Sequence, residues 1–242
     1  MIRTVLFDLM GTLLVEAPDS DADPADNFYR VLCGEGLTLG QEEFWTVLRE
    51  TPPVATCGSA TPFDDRLARV CAKAGLSISL TRAAQLADAI CSYSNRVTVS
   101  DREAVATLRH VRSYGPVGLV TNYDHPPNIH HLLEREGLRE LFDVVIISGE
   151  IGVWKPDPSI LHAALDQLEM GTEAAVYVGD SDVDIQAADA AGMRSILIRR
   201  QGGPSDPLRD PRPEVDEVRP TAVIQSLGEL PQALARLHLP MD

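Results

Sequence analysis

Three observations predict an α/β chain: a parallel sheet forming the core, and an all-helical segment inserted near the start. The run Thr4-Val-Leu-Phe7 ends abruptly in Asp8, with Gly11-Thr12 close behind. Residues 98–200 alternate between short apolar runs and stretches of helical period, the signature of repeated βα units. Residues 24–96 show helical period and no convincing strand.

Taken in order, Thr4–Phe7 is a buried strand whose carboxyl end presents Asp8. That is the edge at which open α/β sheets bind ligands. Gly11 allows the sharp turn that follows. The polar stretch Ala17–Pro24 is a linker that supplies an N-cap for a helix beginning near Pro24 or Ala25. Four helical faces follow: Phe28/Val31/Leu32, Phe44/Val47/Leu48, Leu67/Val70/Cys71/Ala74 closing at Gly75, and Ala83/Leu86/Ala87/Ile90. A long irregular loop, Thr51–Pro62, separates the second from the third. The alternation then runs from a helix over Val105–Val111 to a strand Val117–Val120 ending at Thr121-Asn122, and a helix over Ile129–Leu133. It continues with a strand Val144–Ile147, a helix over Ile160–Leu168, a strand Ala175–Val178 ending at Gly179-Asp180, a helix through Ala187–Ala191 and a strand Ser195–Ile198. Residues 201–217 are polar and Pro-rich and are expected to form a surface loop, before a short strand and a closing helix from Ala222.

Composition bounds the function. A net charge of −15 excludes a general nucleic-acid or anionic-membrane binder, which needs a basic face. No apolar run approaches the ~20 residues that span a bilayer. The chain opens on a strand rather than a basic-then-apolar leader, so a cytoplasmic location is expected. Cys33, Cys57, Cys71 and Cys91 contain no C-x-x-C pair and are expected to be buried free thiols. Of 21 basic residues only Lys73 and Lys155 are lysines. In a chain that otherwise uses arginine, a retained lysine marks a place where a compact ammonium matters.

In a parallel sheet the strand ends share one edge, so Asp8, Thr121-Asn122 and Asp180 are expected to converge. Gly179-Asp-Ser-Asp-Val-Asp184 opens a helix with three carboxylates, which a hard cation such as Mg²⁺ relieves of their repulsion. Asp182 alone is accounted for by the helix dipole. Gly152-Val-Trp-Lys155-Pro-Asp-Pro158 supplies the lysine, on a segment that Pro156 and Pro158 are expected to hold extended.

These motifs (F-D-x-x-G-T-L, T-N, G-x-x-K-P-D-P and G-D-S-x-x-D-I, in that order) resemble the haloacid dehalogenase superfamily over essentially the whole chain. The resemblance implies a Rossmann-like core at residues 1–15 and 98–242 and a helical cap at 16–97. It further implies Asp8 as nucleophile, with Thr121 hydrogen-bonded to the transferred group and the Asn122 backbone, Gly11 and Thr12 beside it. Lys155 would neutralise nucleophile and attacked group. Mg²⁺ would be held by Asp8, the Met10 carbonyl and Asp180, with Asp184 a ligand or an outer-shell holder. The expected partner is a small, phosphorylated substrate.

One position departs from the family pattern. Its phosphatases carry a second Asp two residues after the nucleophile as general acid and base, and here that residue is Met10. A thioether cannot shuttle protons. The resemblance leaves three alternatives: a substrate whose leaving group needs no proton (an acyl phosphate, a C–P bond next to a carbonyl, a carbon–halogen bond), a substitute acid such as His125 or a cap residue, or ligand binding without turnover. His125 reads as an exposed loop histidine, and Lys73 as a solvated helix residue. Arg49, Arg66, Arg69 and Tyr29 read as outward-facing or core-filling rather than as substrate contacts.

Overall fold

The computed structural model describes residues 2–17, 21–56, 60–200 and 219–237. Cys57 and residues 201–217 therefore lie outside the described residues. Eight strands occur among those described: β1 (Thr4–Phe7), β2 (Leu14–Glu16), β3 (Thr98–Ser100), β4 (Val117–Thr121), β5 (Val144–Ile147), β6 (Ala175–Gly179), β7 (Arg194–Ile198) and β8 (Ala222–Ile224). The helices are α1 (Pro24–Gly34), α2 (Gln41–Arg49), α3 (Pro62–Lys73), α4 (Leu80–Ser94), α5 (Ala104–Val111), α6 (Pro126–Arg135), α7 (Ser148–Ile151), α8 (Ser159–Gln167), α9 (Asp182–Ala190) and α10 (Leu230–Leu237).

Six strands form one sheet in the order β5-β4-β1-β6-β7-β8, every neighbouring pair parallel. The expected α/β class is thus observed. Both sheet faces are covered, which is why the strands read as continuous apolar runs. Alternation along β1 sends Val5 and Phe7 to a core shared with α5, α6 and α10, and Leu6 to one shared with α8 and α9. In β6, Val176 and Val178 join the first core and Tyr177 the second.

Helices α1–α4 enclose a separate apolar core in which Phe28 meets Phe44, Trp45 and Phe63 edge-on. Capping sets three of their starts: Asp23 accepts from the Asp26 amide at 2.9 Å, Ser79 from the Arg82 amide at 3.1 Å, and Thr61 and Asp64 form a reciprocal capping box. The chain enters and leaves this helical segment through β2 and β3, which pair antiparallel with Glu16 opposite Thr98. Neither strand is expected from the sequence, because three residues are too few for alternation to register.

Two local expectations are corrected. The Lys155–Pro158 segment is a turn rather than extended: the Asp157 amide closes on the Trp154 carbonyl at 3.0 Å, and the Lys155-Pro156 peptide is cis. Cys33 is exposed, because it lies on the outer side of α1 next to buried Leu32; Cys71 and Cys91 are buried thiols as expected.

Candidate active site

Asp8 leaves the end of β1 with its amide bonded to the Val178 carbonyl at 2.8 Å, so it sits between β4 and β6 at the carboxyl edge. The turn behind it is closed by the Gly11 amide on Leu14 O at 2.7 Å, with Gly11 at φ 82°. Arg200 pins this turn by donating to the Gly11 and Thr12 carbonyls, while Asp101 holds the same guanidinium at 2.8 Å. Thr12 is buried and its hydroxyl lies 3.5 Å from Asp180 Oδ1.

Lys155 reaches this edge from the turn before α8. The Asn122 side chain clasps its backbone from both sides, Nδ2 donating to Lys155 O at 2.9 Å and Oδ1 accepting from Lys155 N at 2.8 Å. The amine is buried and donates to Asp8 Oδ1 at 2.7 Å, Asp184 Oδ1 at 2.6 Å and the Tyr177 hydroxyl at 2.8 Å. The Asp184 carboxylate is anchored on its other oxygen by the Asp180 and Ser181 amides and by Ser181 Oγ at 2.5 Å. Its packing explains Gly179: a methyl group there would fall within 2.4 Å of the Asp184 carboxyl carbon. Thr121 closes β4 with its hydroxyl buried and without a hydrogen-bond partner among the described residues.

Charge is unbalanced here, three carboxylates against one ammonium. Burial raises the Asp8 pKa to about 7, and Asp184 and Asp180 add to this while Lys155 opposes it. Burial pulls the Lys155 ammonium down, but Asp184 and Asp8 outweigh it and hold the pKa above its ordinary value. Asp184 is held below the ordinary carboxylate range by Lys155 and Ser181 despite its burial. Burial drives the Tyr177 phenol well upward, so it stays protonated. Asp8, Asp180 and Asp184 each offer an oxygen within 4.8 Å of the others. An all-oxygen anionic set with excess negative charge fits a hard divalent cation.

Met10, half-buried, packs against the larger core. His125 corrects its expectation. It is buried, at 5% exposure, because the helical segment closes over it: Nδ1 lies 3.1 Å from Thr61 Oγ1 and Nε2 3.1 Å from Asp88 Oδ1. Arg66 is likewise neither outward-facing nor a core filler. It bridges to Asp124 at 2.7 Å while donating to the Thr51 and Leu48 carbonyls. Arg49 and Arg69 bond to Thr46 and Asp65 on their own helices, and Tyr29 to the Leu39 carbonyl. Lys73 is exposed and donates to the Glu50 carbonyl and Thr51 Oγ1. Tyr177, Arg200 and Asp124 were missed at the sequence level. A tyrosine inside a Val-rich strand reads as core, and the other two act through partners far away in the chain.

A family model described as haloacid dehalogenase-like hydrolase matches residues 2–192. The glyceraldehyde 3-phosphate phosphatase of Methanopyrus kandleri is 34% identical over 206 residues, covering 83% of this chain and 85% of the relative. The phosphoglycolate phosphatase of Cereibacter sphaeroides is 33% identical over 202 residues, covering 80% and 84%. Among solved structures, the 2-haloacid dehalogenase of Pseudomonas syringae superposes with a TM-score of 0.64 at 25% identity, covering 98% of this chain and 100% of that one.

Proposed function

The chain belongs to the haloacid dehalogenase-like hydrolases, and on that footing we propose that it is a Mg²⁺-dependent hydrolase of small phosphorylated molecules with good leaving groups. The observation that carries this reading is the Lys155 ammonium held 2.7 Å from Asp8 and 2.6 Å from Asp184, at the sheet edge where the neighbouring strand β4 ends in the buried Thr121 hydroxyl, which has no hydrogen-bond partner among the described residues. A carboxylate can attack an anionic phosphoryl group only where positive charge offsets the repulsion. Relatives that are phosphatases, at 33–34% identity over four-fifths of the chain, favour phosphorus as the centre attacked.

In this reading Asp8 forms a bond to phosphorus as the bond to the leaving oxygen breaks, giving an aspartyl phosphate that water then hydrolyses. Lys155 holds the nucleophile in place and offsets its charge. Thr121 donates to one equatorial oxygen. Asp8, the Met10 carbonyl and Asp180 would hold Mg²⁺, with Asp184 in the outer shell because the protein already occupies both of its oxygens. The ion, when bound, supplies electrostatic stabilisation of the charge on the transferred group. Met10 leaves the departing oxygen without a protonating carboxyl, which selects leaving groups that depart as stable anions. Residues 16–97 act as a cap whose opening admits substrate.

The purified protein with Mg²⁺ should hydrolyse an aryl phosphate at least ~10²-fold faster than a sugar phosphate, the low end of what acid–base catalysis supplies. Chelator should abolish both activities. Equal kcat/KM values on the two substrates would sink the leaving-group argument, because that constant ends with departure of the leaving group. The same residue, Met10, favours a second reading, cleavage of C–P or carbon–halogen bonds. Halide release that persists in chelator would replace the first reading with this one.

A further inference from the structure

We propose that Tyr177 is a positioning residue that aims the Lys155 ammonium at Asp8. This rests on the catalytic role given to Asp8 and Lys155 above.

An ammonium has three protons, and four acceptors surround this one. Asp8 and Asp184 lie at 2.7 and 2.6 Å, the Tyr177 hydroxyl at 2.8 Å and the Val120 carbonyl at 3.3 Å. The hydroxyl decides which three are used. It donates its own proton to Val120 O at 2.8 Å, Asp184 Oδ1 being farther off at 3.3 Å, and it offers Lys155 a lone pair at 2.8 Å, nearer than the carbonyl at 3.3 Å, to take the third proton. The other two protons then go to the two carboxylates. Tyr177 is fully buried in β6 between the helices of the second core and has no freedom to swing. The amine also lies 5.4 Å from the centre of the Tyr177 ring.

Without the hydroxyl, Val120 O loses its short donor, and the third ammonium proton has no acceptor closer than that carbonyl. The amine then turns toward Val120, away from Asp8. A shift of this kind misaligns the nucleophile more than it weakens substrate binding, because Asp184 still holds the amine in the site.

The chain has only two lysines, Lys73 and Lys155, so side-chain ¹⁵N labelling yields two resolvable ammonium groups. In the wild-type protein the buried Lys155 ammonium should exchange its protons slowly and show cross-relaxation to the Tyr177 ring, and exposed Lys73 should do neither. Tyr177→Phe should shift the Lys155 resonance and speed its exchange, and lower kcat on an aryl phosphate about tenfold with KM little changed. Tyr123→Phe, which alters a half-buried tyrosine whose hydroxyl accepts from Asn128, should leave the Lys155 resonance unmoved. An unchanged Lys155 resonance in Tyr177→Phe, or one that Tyr123→Phe moves equally, would overturn the proposal. If Tyr177→Phe does not fold, the wild-type cross-relaxation decides, and its absence is equally fatal. These spectra need no turnover. A protein inactive on every phosphate would therefore defeat the catalytic reading while leaving the placement of Tyr177 tested.

Discussion

Replacing Met10 with aspartate puts a carboxyl two residues beyond Asp8, on a turn already fixed by Gly11 and Arg200. Met10→Asp should raise kcat/KM on a sugar phosphate by about 10²-fold while kcat/KM on an aryl phosphate changes little, because that constant reports the step that expels the leaving group and only the poor one needs the proton. Rates measured on both substrates check this, and a uniform effect would tell against a missing acid. At this scale the site divides by the kind of signal each residue leaves. Asp8, Thr121 and Asp180 were legible as polar residues where an apolar run stops, Lys155 as a rare lysine, and Asp184 as part of an acidic cluster opening a helix. Tyr177 was not, since only the register of β6 against β1 brings its hydroxyl under Lys155. His125 was misread because sequence adjacency to a loop carries no information about what folds over it.

Among the elements, the loop between β4 and α6 does two jobs. Asn122 clasps the Lys155 backbone, and the next three residues grip the helical insert. The Tyr123 hydroxyl lies 3.9 Å from Cys91 Sγ. Asp124 takes Arg66 on its carboxylate and the Phe63 amide on its carbonyl at 2.9 Å, and the Trp154 indole donates to its other oxygen at 3.1 Å. His125 meets Thr61 and Asp88. The Asp124 carboxylate thus bridges the insert to the segment that carries Lys155, Arg66 on one oxygen and Trp154 on the other, with both partners of the ion pair largely buried. Losing a hydrogen bond to a charged group costs about 1.5–3 kcal/mol. Arg66→Met should therefore speed exchange of the Phe63 amide roughly tenfold or more, each ~1.4 kcal/mol being a factor of ten. Hydrogen exchange followed by mass spectrometry of the α3 peptide reads this directly, and an unchanged rate would mean that other contacts hold the closure. None of this was legible beforehand, because Arg66 and Asp124 are 58 residues apart and each looks like an ordinary surface charge.

For the whole molecule, the relevant quantity is how stability follows pH and metal. In the metal-free protein Asp8 titrates near 7, against an ordinary 3.8, through burial and the neighbouring carboxylates. Between those values the native state holds a proton that the unfolded chain has released, so raising pH through this window costs stability. Asp184 works in the opposite sense: its depressed pKa contributes stability above the ordinary carboxylate value, which is lost as pH falls below it. A divalent ion must displace the Asp8 proton below about pH 7 and meets none above it. The Tm gain from millimolar Mg²⁺ should accordingly be several degrees larger at pH 8 than at pH 5, read by scanning calorimetry. Equal gains at both pH values would place the ion elsewhere. The parallel sheet and its covered faces followed from the alternation of apolar runs and helical periods, which tertiary packing did not override; the strand order, set by long-range pairing, did not. The ribbon of β2 and β3 did not, because its stability comes from pairing across 82 residues rather than from anything local.

That ribbon joins the helical insert to the sheet like a hem. Glu16 and Thr98 stand face to face, so the polypeptide departs from the sheet and returns to it at a single seam. Whatever is spliced in between alters the helical insert and leaves the registration of the six parallel strands untouched.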